Sequence, residues 1–277
     1  MGQSTSHTSS CRIARGALTL QGYHCSDLSS SIIEQNETPL SRRLKSRHIL
    51  LFLQTGAIPD GLLSEAELHS FLENWAHALD EAYFFGRLMS RTSGIQFAKG
   101  DETSGNYGLW DPSKKTILLD VEFHISMAIG VDYKIGLITT LVHEMMHAFF
   151  DIFGTEISYS ISPENGGIGY LDGHGPPWAD AMASVQESLN EVFPFIIDGQ
   201  IFQSVQWSMV NYDWTPTRSQ MTRWGATPAD MKESTNTKKG LTLWERFLDT
   251  SFYYCTITMM AVFLGLSLLD LFRFIDS

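Results

Sequence analysis

The sequence predicts an α+β domain in which a small β-sheet lies beside a long, buried helix. Three observations lead there. Apolar residues recur at helical spacing in two long stretches, 64–88 and 133–153. Between them lie three short runs of strand character, two of them joined by strong turn residues. The second helical stretch carries His143-Glu144-Met145-Met146-His147, an HExxH pattern set within an almost wholly apolar surface.

Taken in order, residues 1–47 read as a polar, disordered N-terminal tail without sustained periodicity. Residues 49–59 form a short apolar segment expected to pack on the core. Ser64 with Glu67 makes a capping box, and Leu68, Phe71, Leu72, Trp75, Leu79, Ala82 and Phe85 follow at helical spacing. This helix is expected to run to about Leu88, with its aromatic stripe in the core. Strands are expected at 94–98, 107–110 and 116–121. Asp111-Pro112-Ser113-Lys114-Lys115 turns the chain between the last two. The HExxH helix spans about 133–153, and Gly154 is a suitable residue to stop it. A Ser/Gly-rich loop at 155–170 leads to a helix from Pro177 to about Phe193. Residues 195–212 alternate loosely and are expected to hold a strand or two. The domains are therefore a tail at 1–47, a catalytic-type domain at 48–212, a polar linker at 213–250 and a hydrophobic C-terminal helix at 251–277.

On a helix, residues i and i+4 project from one face, so His143 and His147 can bind one Zn²⁺ together. Glu144 can act on a water at that metal without being a ligand. Thr139, Thr140, His143, Glu144, His147 and Asp151 make the least apolar strip of the helix, which should face a cleft. A catalytic zinc needs a third protein ligand. His174, in Gly173-His174-Gly175-Pro176-Pro177-Trp178, is the leading candidate, because its flanking glycines allow close backbone approach. Glu187 on the following helix is the rival. Asp151, one turn beyond His147, is either an acceptor that orients that imidazole or an exposed helix-end carboxylate. Tyr170 is the nearest hydroxyl in sequence that could assist an oxyanion.

The pairing of HEMMHAF with GHGPPW resembles the SprT-like metalloprotease family, which includes the Spartan-type proteases that cleave DNA-crosslinked proteins. The resemblance spans roughly residues 64–195. It implies a zincin-like fold with a small sheet beside the HExxH helix. It further implies zinc held by His143, His147 and His174, and Glu144 as the catalytic base. The function implied is a zinc-dependent endopeptidase acting on protein substrates, with DNA–protein crosslink processing as its setting. In zincins an edge strand can pair with an extended substrate, and 116–121 is the candidate. The long spacer between His147 and His174 is read as a surface insertion.

Composition bounds these readings. With 277 residues and 43% hydrophobic content, the chain can bury a real core. A net charge of −12 opposes tight general binding to DNA, although Arg42, Arg43, Lys45 and Arg47 form a local basic cluster. The three cysteines contain no CxxC pair, which fits a reducing intracellular compartment, nuclear or cytoplasmic, and provides no accessory zinc ribbon for DNA contact. No secretory signal is visible. Met1-Gly2-Gln3-Ser4-Thr5-Ser6 matches a loose acylation pattern that an ordinary polar terminus matches equally well. Residues 252–269 carry no charge over 18 positions, the lower limit for a membrane span. A tail anchor, a docked helix and a gene-model artefact remain open there. Two alternative functions stand beside the protease: a catalytically silent zinc-bearing scaffold, and a zinc protease tethered to a membrane through 252–269.

Overall fold

The computed structural model describes residues 23–44, 47–56, 58–100, 102–103, 105–128, 132–154, 173–197, 201–211 and 216–227. The chain divides into two compact units, residues 1–225 and 226–277. All elements below belong to the first.

Helices α1 (Cys25–Asn36), α2 (Leu40–Arg43) and α3 (Arg47–Thr55) precede the long helix α4 (Glu65–Tyr83). Strand β1 (Ile95–Phe97) follows, then the hairpin of β2 (Gly108–Asp111) and β3 (Thr116–Leu119). The chain continues through α5 (Val121–Met127), α6 (Tyr133–Phe153), α7 (Pro176–Asn190), α8 (Ile201–Asn211) and α9 (Arg218–Arg223). The result is mixed, with helices around one three-stranded sheet.

Local chemistry explains the boundaries. Helix α4 begins at the expected capping box, in which the Ser64 side chain accepts from the Glu67 N–H and the Glu67 carboxylate accepts from the Ser64 N–H. It ends at Tyr83, earlier than Leu88, because Phe85 (φ 62°) and Gly86 (φ 64°) take left-handed conformations. The buried Asp80 carboxylate holds this reversal by accepting from the Leu88 and Met89 N–H groups at 2.9 and 3.0 Å. In the β2–β3 hairpin, Asp111 accepts from the backbone N–H groups of Ser113 and Lys114, an Asx-type turn. The strand order is β1-β3-β2, with β1 parallel and β2 antiparallel to β3. Strand β3 is therefore central and buried throughout, so the expected substrate edge at 116–121 is corrected: β1 and β2 are the edges.

Three further expectations are revised. Residues 25–36 are helical, not tail, because Leu28 and Ile32 are fully buried and α1 packs along α7. A Ser-rich helix of this kind is held by burial, not by propensity. The segment from 201 is helix α8 instead of strand. Helix α9 falls inside the expected linker, capped by Thr217 and Gln220, and the first unit reaches 225 instead of 212. Gly154 ends α6, as expected, in an extended conformation (φ −76°, ψ 164°). Glycine is needed there because a Cβ would run into the Phe150 carbonyl oxygen. The tail at 1–22 and the segment 252–269 lie outside the described residues.

Two aromatic groups make the core. Trp75 of α4 meets the rings of Phe52, Phe71, Phe193 and Phe195. Phe149 of α6 meets Phe84, Phe85, Phe150 and Phe153. The α4 stripe is thus core, as its spacing predicts.

Burial pushes the Asp80 carboxyl up to about 6 against the opposing pull of its hydrogen bonds. The folded protein then keeps a proton that the unfolded chain releases above about pH 4, so this group favours folding at low pH and loses that contribution as pH rises through 6. His124, lowered to about 4 by burial, acts in the opposite direction. The two are separated by comparing urea unfolding of wild type and Asp80→Asn at pH 4.5 and 7.5. The advantage of wild type over the variant should shrink by about 2 kcal/mol between those values. A difference independent of pH would show that Asp80 does not titrate as its burial demands.

Candidate metal centre

Helix α6 is buried on nearly every side, packed against α4, α5, α7, β2 and β3. On it, His143 and His147 lie one turn apart with ring centroids 4.9 Å apart. His174 arrives from the chain just before α7. Gly173 is left-handed there (φ 86°), Gly175 caps the helix and Pro176 opens it. The three Nε2 atoms converge. His143 and His174 are 3.0 Å apart, His147 and His143 3.1 Å, and His147 and His174 3.1 Å.

That triangle fits a tetrahedral metal. Nitrogen ligands at about 2.0–2.1 Å from zinc are spaced about 3.3 Å from one another, close to what the imidazoles adopt. With each imidazole neutral and protonated at Nδ1, a cation would engage all three Nε2 lone pairs at once. The protonation states agree. Burial, with the other two histidines adding repulsion, holds His147 well below its ordinary pKa, and burial lowers His174 to about 4. Neutral imidazole is the form that binds metal. Among the described residues, these three form the only group of His, Cys, Asp or Glu side chains with metal-ligand spacing.

Glu144 sits beside them, 6% exposed, with Oε2 accepting the Trp110 N–H at 2.8 Å. Burial raises its pKa to about 8, and the Trp110 hydrogen bond draws it the other way. Positive charge at the histidines would lower it further. The Trp110 indole also donates to Asp151 Oδ2 at 3.1 Å. One residue of β2 therefore grips α6 twice, through its backbone at Glu144 and its side chain at Asp151. Gly108, two residues earlier on the same face, lets the strand lie this close. A Cβ there would stand 2.6 Å from Thr140 Cγ2 and 3.2 Å from Glu144 Cγ.

The structure thus brings His143, His147, His174 and Glu144 into one place. Glu187 is exposed on α7 and outside the group. Asp151 serves the β2 contact. Tyr170 and the loop 155–170 lie outside the described residues. Gly108 and Trp110 are functional neighbours that the sequence motifs do not mark. A glycine at the start of a strand is a recognised mark of close backbone approach, and that was the available signal. Nothing local identifies Trp110, since its two partners lie 34 and 41 residues away.

Gly108→Ala should cost about 1–3 kcal/mol, the usual penalty for forcing a methyl into packed space. Thr140→Ser, which removes only Cγ2, should recover part of that loss in the double variant. Chemical denaturation of the four proteins checks this, and strict additivity would refute the contact. Comparison with protein-family models, with curated proteins and with solved structures returned no match, so the functional reading rests on this geometry and on the motif resemblance.

Proposed function

We propose that this chain is a zinc-dependent endopeptidase of SprT-like type, with a zincin-like arrangement of its sheet beside α6. The observation that carries the reading is the convergence of the His143, His147 and His174 Nε2 atoms with Glu144 adjacent. Bound by these imidazoles, zinc would supply Lewis-acid polarisation of a peptide carbonyl and acidify a water. Glu144 is fixed through Oε2 by the Trp110 N–H, which leaves Oε1 to take the proton of the attacking water and pass it to the leaving amine. Strand β2 is an edge of the sheet beside Glu144; Glu144 takes its outward Trp110 N–H, so an extended polypeptide would pair through the remaining groups of that edge.

The burial of Glu144 favours a second reading, a zinc-bearing interaction module with negligible proteolysis. The two part on one comparison. Glu144→Gln should keep about one zinc per chain by metal analysis but lose cleavage of labelled casein by about a hundredfold or more. Equal cleavage by both proteins would end the hydrolase reading. His174→Ala should abolish stable zinc binding while Glu187→Ala retains it, and the reverse result would move the protein to a glutamate-ligand class.

Processing of DNA–protein crosslinks is the setting the resemblance implies. With a net charge of −12, DNA binding should be weak and should fall steeply with salt. Nanomolar binding to single- or double-stranded DNA at near-physiological salt would contradict that expectation. No helix among the described residues is long and apolar enough to cross a membrane. The tethered form rests on 252–269, outside those residues, and is tested by detergent-dependent retention of the full-length chain but not of one truncated after Lys239.

A further inference from the structure

We infer that Trp178 is the positioning residue for all three imidazoles of the cluster, the shared surface that holds their Nε2 atoms convergent. This rests on the metal reading of His143, His147 and His174, and not on proteolysis. The Trp178 indole is fully buried and lies 4.8, 5.4 and 4.7 Å, centroid to centroid, from the rings of His143, His147 and His174. Each ring meets it differently. His147 stacks on it at 18°, while His143 and His174 meet it at 62° and 85°.

Chain geometry makes the indole a rigid support. His174 stands immediately before the cap residue Gly175, and Pro176 and Pro177 occupy the first two positions of α7, with Trp178 third. The prolines fix two backbone dihedrals between ligand and support, so His174 and Trp178 move as one piece. His143 and His147 come from the other helix, where an imidazole can still turn about its two side-chain torsions. A flat, packed indole removes most of that freedom, so a metal would meet ligands already aimed.

Among the described residues, the buried Trp178 Nε1–H has no hydrogen-bond partner. Trp75 Nε1 in the core is likewise unmet, so the donor does not set Trp178 apart; its contacts with three imidazoles do, and they are made through the ring. Phenylalanine should serve in its place, whereas leucine, similar in hydrophobicity but without a flat face, should not.

The experiment measures zinc affinity by competition with a chromophoric chelator, and the visible spectrum of the Co²⁺-loaded protein, for wild type, Trp178→Phe and Trp178→Leu. Circular dichroism confirms folding of each. Trp178→Phe should stay within about threefold of wild type with the same tetrahedral Co²⁺ bands, and Trp178→Leu should lose about tenfold to a hundredfold in affinity with altered bands, the range typical of residues that orient metal ligands. Rescue by phenylalanine separates positioning from mere core filling. In addition, the share of tryptophan emission that Co²⁺ removes should fall in Trp178→Phe, since the ring nearest the ligands is gone. If the leucine variant does not fold, Trp178→Met, equally without a flat face, takes its place with the same expected losses. Wild-type affinity and bands in Trp178→Leu, equal losses in both variants, or unchanged emission loss in Trp178→Phe would each overturn the inference. If wild type itself binds neither Zn²⁺ nor Co²⁺, the metal reading fails and this inference falls with it. If wild type binds and the variants match it, only the role of Trp178 fails.

Discussion

The burial of α6 is the constraint on which the rest of the structure depends. A helix packed on nearly every side can carry polar groups only where those groups find partners. His143 and His147 meet His174, Glu144 meets the Trp110 N–H, and Asp151 meets the Trp110 indole. The same burial keeps His147 neutral and raises the Glu144 pKa. The state of the histidines and that of the glutamate thus follow from one packing decision. Neighbours must also be small. Gly108 clears Thr140 and Glu144, and Gly136 clears His124, whose Nδ1 would stand 2.8 Å from an added Cβ.

Two rigid approaches deliver the remaining groups to that helix. On one side β2 is held by the hairpin turn at Asp111 and by its ladder with β3, which sets the height of Trp110 over α6. On the other, α7 begins with two prolines directly behind His174. Helix α7 is in turn backed by α1, with the Asn36 side chain donating to Ser184 Oγ at 3.0 Å. Support for the third histidine therefore extends to the N-terminal helix, well before the motif region in sequence.

Much of this was legible in advance. The capping box at Ser64, the hairpin at Asp111 and the span of α6 all depend on interactions within a few residues, and such interactions are written in local sequence. The α4 stripe was legible because burial repeats with the helical period. Helix α1 was not, since its Ser-rich composition favours no helix alone and its apolar stripe consists of little more than Leu28 and Ile32. Helix α8 departs from the strand expected there because an apolar run with loose alternation satisfies strand and helix templates alike. The early end of α4 also depended on a distant cause, the grip of Asp80 on Leu88 and Met89 across the reversal.

By itself the sequence determined the identities that chemistry requires: two histidines at helical spacing, the intervening glutamate, and a third histidine between glycines ahead of two prolines. These follow from covalent order and the geometry of a single helix. Only the tertiary structure decided that His174 closes the triangle while Glu187 stays in solvent, that β2 and not β3 is an edge, and that Trp110 and Trp178 flank the site. Those outcomes depend on contacts between residues far apart in the chain. Local propensity does not encode them, because each is fixed by which surfaces must be buried together once the helices and the sheet have formed.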